Sequence, residues 1–418
     1  MHFTRREFLK TSSASAGLYF FGATPLSAFD IAAGPSLGND RILVLLQLSG
    51  GNDGLSTLVP HGLDEYGQSR SRTRIPASEV LRIDNRCGLH PELSGMKELY
   101  DKGRLAIVQG VGYPDPDRSH FKSMDIWHAA DRRGRLAGDG WVGRLADTAF
   151  AGSDDPNLVV HIGHEVPFSL TANVHRPVAF TAPEAYRWIG ARSEAEVLER
   201  SAPLCEHEEA PSRRRGATEF TGRDGALERL RKTLHEAQSS SEQVRKAAAR
   251  YTPRAKYPAT ALAGSLATVA ALISGGLSTR IYSVQTGGFD THVNQKPTHD
   301  RLMRDLGDSL RAFLADLEAQ GALDRVVVLA FSEFGRRVHE NGSGGTDHGV
   351  AGPLFVLGGR VKGGLHGRHP SLTDLDNGDL IHTTDFRHVY ASLIDDWMGA
   401  RHQEILGGKW PGLELVRG

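Results

Sequence analysis

The chain has 418 residues, 39% hydrophobic and 24% charged, proportions that exclude a wholly disordered polypeptide and a multi-span membrane protein. Lys plus Arg number 49 against 50 Asp plus Glu, and a formal net charge of -1 argues against a strongly basic nucleic-acid binder. Two cysteines, Cys87 and Cys205, cannot build a disulfide framework or a Cys-rich zinc site, so any metal must be held by carboxylates and by some of the 19 histidines.

In chain order, the first element is a signal. Thr4-Arg5-Arg6-Glu7-Phe8-Leu9-Lys10 precedes a weakly apolar stretch, residues 14–28, that is shorter than the ~20 apolar residues a bilayer span needs. Paired arginines followed by Phe-Leu-Lys resemble the twin-arginine signal, which passes folded proteins to a dedicated export machinery. Residues 1–33 are therefore expected to be a signal peptide, and the mature protein to be periplasmic or extracellular with no retained membrane span. Short apolar runs rich in β-branched residues follow at 42–48, 105–109, 158–162, 281–285, 326–331 and 354–357 and predict buried strands. Helical patterns lie between them at 91–101, 121–130, 259–273, 297–319 and 385–398. This alternation predicts an α/β fold, a mainly parallel central sheet with helices on both faces, over residues 39–418. A polar, charged stretch at about 191–258 breaks the pattern and reads as an inserted helical arm, with a long helix at 225–250.

Polar motifs follow the strands, where loops of an open α/β sheet converge on a crevice. Ser49-Gly50-Gly51-Asn52-Asp53-Gly54 follows the first strand and Asp117-Arg118-Ser119-His120-Phe121 the second. Gly287-Gly288-Phe289-Asp290-Thr291-His292, Ser332-Glu333-Phe334-Gly335-Arg336 and Thr346-Asp347-His348-Gly349 come later. Asp53 reads either as a turn residue or as a metal ligand, its place after the first strand favouring the ligand. Asp290 and His292 are two apart, so both side chains can face one ion from an extended backbone. Asp347 and His348, flanked by glycines, are a similar pair. Ser119 stands before a helix, as an N-cap or as a nucleophile placed where amide donors favour an anion. Arg118 and Arg336 could clamp a tetrahedral oxyanion or form salt bridges, and Glu333 could ligate metal, act as base, or pair with Arg336 or Arg337. His120, His164 and His366 are lesser candidates. The inventory suits a two-metal ester hydrolase with a hydroxyl nucleophile, and its carboxylate and imidazole ligands suit zinc, manganese or iron.

Leu48 through Gly54, Arg118-Ser119-His120-Phe121, Gln285 through His292, Ser332 through Arg336 and Asp347-His348-Gly349 together resemble the bacterial family named domain of unknown function 1501, over residues 41–399. That family commonly carries twin-arginine signals and is similar to the alkaline phosphatase and sulfatase superfamily. The resemblance implies an alkaline phosphatase-like fold and an exported metal-dependent hydrolase of phosphate or sulfate esters. It implies Ser119 as nucleophile, Asp53 as the first-strand Asp, Asp290 and His292 for one divalent ion and Asp347 and His348 for the other; Glu333 and Arg336 are candidate catalytic residues from their place after a strand. The Asp290 to His292 spacing is shorter than the superfamily's, and a further C-terminal His ligand has only His366 and His382 as candidates. Pro and Arg are absent from the second and fourth places after Ser119, so conversion to formylglycine is disfavoured. A small-molecule or polymer ester is the expected partner. The rival reading is a non-catalytic binding or assembly protein that keeps the fold. A metal-free serine esterase lacks its Gly-x-Ser-x-Gly elbow here.

Overall fold

Seven consecutive apolar-rich residues make the first strand, β1 (Ile42–Leu48), and all seven are buried. A strand covered on both faces has no need of polar alternation, and successive side chains of β1 enter different cores. Val44, Leu46 and Leu48 join one apolar cluster, while Leu43 and Leu45 join a second on the opposite side of the sheet.

A computed structural model of the chain describes residues 40–186 and 223–417. The expected signal and residues 191–222 of the expected insertion lie outside the described residues. Further strands are β2 (Leu105–Gly112), β3 (Val159–Ile162), β4 (Val178–Phe180), β5 (Ile281–Thr286) and β6 (Val326–Phe331). They are followed by β7 (Arg336–Glu340), β8 (Thr346–His348), β9 (Gly352–Gly358), β10 (Gly364–His366) and β11 (Thr384–Asp385). The nine-stranded central sheet runs β10-β2-β9-β6-β1-β5-β3-β4, with β11 also paired to β2. Every pairing in it is parallel except those of β9, which runs antiparallel to both β2 and β6.

The helices are α1 (Ser94–Asp101), α2 (His120–Ala129), α3 (Trp141–Ala149), α4 (Arg223–Ala249), α5 (Ala261–Ser274), α6 (Gln295–Ala319) and α7 (Phe386–Ser392). Residues of α1, α4, α5 and α6 build the first cluster, and residues of α2, α3 and α7 the second, so the sheet is covered on both faces as its apolar strands require. Helix α4 falls in the expected insertion and reaches the core through Val244 and Ala247. Among the described residues no helix is long and apolar enough to cross a membrane.

The sheet's polarity positions the site. β1, β5 and β6 are parallel neighbours, and β2 shares their direction because the antiparallel β9 separates it from β6. The carboxyl ends of all four open on one edge, and the β7–β8 hairpin returns the chain to that edge.

Candidate functional site

Four loops meet at this edge, held by hydrogen bonds between segments far apart in sequence. Gly50 N donates to Glu333 Oε1 (2.9 Å) and Asn52 N to Ser332 Oγ (2.9 Å), which ties the loop after β1 to the loop after β6. Gly50 has φ +119°, and a Cβ there would lie 2.5 Å from Asp290 N, so only glycine lets these two loops approach so closely. Arg336, 1% exposed, fastens the remainder. It donates to the carbonyls of Gly50, Gly51 (2.6 Å), Phe289 (3.1 Å) and Thr346 (2.8 Å) and to Asp290 Oδ1 (2.7 Å).

Three imidazoles converge on Asp290. His292 Nε2 lies 2.9 Å, His348 Nε2 3.1 Å and His120 Nε2 3.6 Å from Asp290 Oδ1. In each ring the other nitrogen faces an acceptor: His120 Nδ1 donates to Glu333 Oε1 (2.7 Å), His348 Nδ1 to the Arg118 carbonyl (2.8 Å), and His292 Nδ1 to Asp347 Oδ1 (3.4 Å). With a proton held on every Nδ1, every Nε2 presents a lone pair to the same point. Hydrogen bonding to Glu333 raises the His120 pKa against the effect of burial, because the carboxylate favours the charged ring. Burial alone would raise the Asp290 pKa, but the Arg336 guanidinium, which donates to its Oδ1, helps bring it down to about 2.

Whether this set suits a divalent cation is decided by its unsatisfied atoms. His120 Nε2 is buried without a hydrogen-bond partner, and the Nε2 atoms of His292 and His348 face each other at 2.9 Å. Lone pairs aimed at one another and at a carboxylate repel unless a cation or extra protons lie between them. The donor atoms of His120, Asp290 and His348 fall within 4.8 Å of one another, and His292 Nε2 lies 2.9 Å from both Asp290 Oδ1 and His348 Nε2. The residues fit a cation.

Several sequence expectations are redrawn here. Asp53 is not at the convergence: it is 0% exposed, and its oxygens accept from Arg70 (2.5 and 3.0 Å), Ser56 (2.7 Å) and Gln295 (2.5 Å), which turns the carboxylate inward to protein donors. Burial would raise its pKa, but the Arg70 guanidinium holds the carboxyl far below the usual range. Glu333, 2% exposed, accepts from Gly50, His120 and Ser332, so it orients a ring rather than touching the convergence point. Every guanidinium nitrogen of Arg336 is engaged by the protein, which argues against an oxyanion clamp. Asp347 backs His292 and accepts from Asn341 Nδ2 (3.0 Å). Arg118 pairs with Asp379 (2.6 Å), and His366 is tied to the Lys362 carbonyl.

Asp290, His292 and His348 lie together, where the resemblance assigns Asp290 and His292 to one ion and Asp347 and His348 to another, and His120 joins them. Its one sequence signal was its position between Ser119 and a helix start. Ser119 caps α2 with no hydrogen bond from its side chain and stands between Arg118, whose carbonyl holds His348, and His120 itself.

Residues 107–405 match a family model described as protein of unknown function (DUF1501). No curated protein matches the chain. Among solved structures, the chain is similar to a protein in the alkaline phosphatase superfamily from Vibrio parahaemolyticus, with TM-score 0.38 and 8% identity over 97% of this chain and 78% of that one. It is also similar to the PsFucS1 sulfatase from Pseudoalteromonas sp., with TM-score 0.37 and 11% identity over 90% and 74%. A third is the C-terminal periplasmic domain of EcEptC from Escherichia coli in complex with Zn, with TM-score 0.32 and 9% identity over 77% and 73%.

Proposed function

The chain belongs to the family described as protein of unknown function (DUF1501), and on that premise we propose that it is an exported, divalent-cation-dependent hydrolase of phosphate or sulfate esters. The observation that carries the reading is the aim of three Nε2 atoms at Asp290 Oδ1, each ring fixed from behind by an oxygen acceptor. His120, His292, His348 and Asp290 would hold the cation, and three imidazoles with one carboxylate suit zinc, manganese or iron. One convergence of donors supports one ion where the sequence suggested up to two.

When bound, the ion supplies Lewis acidity to a phosphoryl or sulfuryl oxygen and favours ionisation of a neighbouring hydroxyl. Ser119 offers that hydroxyl, uncommitted to capping, at the amino end of α2. The first-turn amides and the positive end of the helix dipole favour a tetrahedral anion there. Glu333 keeps the His120 proton on Nδ1, and Arg336 holds Asp290 in register with the loops. Net reaction adds water across the ester, giving alcohol and inorganic or monoester acid. The proposal includes export through the twin-arginine machinery by residues 1–33, which leaves residues 39–418 as the mature domain.

Metal-analysed protein is to be assayed on aryl phosphate and aryl sulfate esters. We expect turnover in the wild type, a fall of at least about 100-fold in Ser119→Ala, and loss of both metal and activity in His348→Ala, in line with the ~10²–10⁴-fold worth of positioned catalytic groups. Full loading with no turnover on either ester class would favour the second reading, a non-catalytic metal-binding protein. That reading draws on Arg336, whose guanidinium is engaged by the protein and so is not offered to a substrate.

A further inference from the structure

Directly beneath the converging imidazoles lies a buried amide that the proposed chemistry does not use. Gln295, the first residue of α6, is 1% exposed. Its Nε2 donates to Asp53 Oδ2 (2.5 Å), and its Oε1 accepts from Thr346 Oγ1 (2.6 Å) and Thr291 Oγ1 (3.1 Å). The orientation of the amide is fixed by its neighbours, since a carboxylate accepts only and would repel Oε1 if the group were flipped. Thr291 lies between Asp290 and His292, and Thr346 two residues before His348. One amide oxygen therefore grips both ligand-bearing loops from below. Thr291 is 5% exposed against 48% for the Asp290 side chain and 38% for that of His292, so an inward hydroxyl sets how far two outward ligands project.

The other end of the amide is equally anchored. Asp53 is locked to Arg70, and Arg70 donates in turn to the carbonyls of Val338 (2.8 Å) and Arg337 (2.8 Å) on β7. The loop after β1, the loop after β5 and the β7–β8 hairpin thus share one buried polar chain, Arg70-Asp53-Gln295-Thr291/Thr346.

We propose that Gln295 is a positioning residue for the cation: through Thr291 and Thr346 it sets the spacing of Asp290 and His292 against His348, with the Asp53–Arg70 pair as its foundation. This inference rests on the reading of the site as a divalent-cation centre. Polar groups behind metal ligands typically change affinity by about 10–100-fold when removed.

The test is Co2+ and Zn2+ binding by the full chain, with the visible absorption of the Co2+ form read alongside the dissociation constant and the melting temperature. Gln295→Met keeps the volume and removes both hydrogen-bonding functions, and Thr346→Val removes one hydroxyl from an otherwise isosteric side chain. We expect Gln295→Met to weaken Co2+ binding by about 10–100-fold and to change the Co2+ spectrum. Thr346→Val should weaken it less and shift the spectrum in the same direction, which keeps the idea open to test if Gln295→Met fails to fold. The double variant should lose less than the product of the two single losses, as members of one network do. Variants that melt earlier but bind Co2+ with wild-type affinity and spectrum would overturn the inference and reduce Gln295 to a fold-stabilising group. A wild type that binds neither ion would overturn the cation reading itself, a result distinct from the first.

Discussion

Asp53 and Arg70 are both wholly buried, and neither reaches the converging histidines. Removing one partner of such a pair leaves the other charge unpaired in a low-dielectric interior and costs about 3–5 kcal/mol. The pH dependence follows from the sign of the Asp53 shift. Its folded pKa is depressed below the unfolded value, so its contribution is complete above about pH 4 and is lost as pH falls through the folded value. Thermal melts from pH 7 down to pH 3 should show Asp53→Asn well below wild type at neutral pH, with the gap narrowing below about pH 4. A gap of constant size across that range would mean that the Asp53 pKa is the same in the folded and unfolded chain, so that Arg70 does not depress it. The same residue shows why the site was only partly legible. Gly-Gly-Asn-Asp-Gly reads identically whether its carboxylate turns outward to a metal or inward to an arginine, and Arg70 sits in a polar stretch with no periodicity to mark it as buried. Asp290, His292 and His348 were singled out because each stands in an Asp-His pair among the loops that follow strands. His120, a single imidazole beside a more conspicuous serine, gains its meaning from Glu333, which is 213 positions away.

Elements place these residues, and close helix packing holds the elements. In α1, Gly95 lies against α6 so tightly that an added Cβ would sit 2.4 Å from the Gly307 carbonyl oxygen, a backbone atom that cannot rotate aside. Gly95→Ala should therefore destabilise the protein by about 1–3 kcal/mol, the usual cost of forcing extra volume into a packed contact. Gly264 in α5 has open space around its Cβ position, so Gly264→Ala should raise stability by about 0.5–1 kcal/mol by restricting the unfolded chain. Denaturant midpoints of the two variants should move in opposite directions; a shared direction would mean that the α1–α6 contact yields without cost. The strand assignments were legible for a related reason: runs such as Val326–Phe331, buried at every position, have nowhere to go except a sheet covered on both faces. The reversal of β9 was not. Between β6 and β9 the chain makes only the β7–β8 hairpin, too short for the helical crossover that a parallel partner needs, and that constraint emerges only once the hairpin is known.

At the scale of the molecule, the site joins segments that the chain itself keeps apart. His120 follows β2, Asp290 and His292 follow β5, and His348 closes the hairpin beyond β6, so an ion held by all four binds the native arrangement and finds no preformed site in the unfolded chain. Such an ion stabilises the folded state by RT ln(1 + [L]/Kd), about 2.7 kcal/mol at a hundredfold excess over Kd. The melting temperature should therefore rise with added Zn2+ or Co2+, fall in chelator, and depend on cation concentration in the logarithmic form that linkage requires. His348→Ala deletes a converging nitrogen while leaving the Asp53–Arg70 foundation intact, so its melting temperature should be nearly indifferent to chelator and close to that of the metal-stripped wild type. The comparison separates two ways in which the edge could be held together. If the buried network alone fixes the loops, wild type and His348→Ala will respond identically to chelator; if the cation completes the fixation, only the wild type will lose stability, by an amount that the measured Kd specifies in advance.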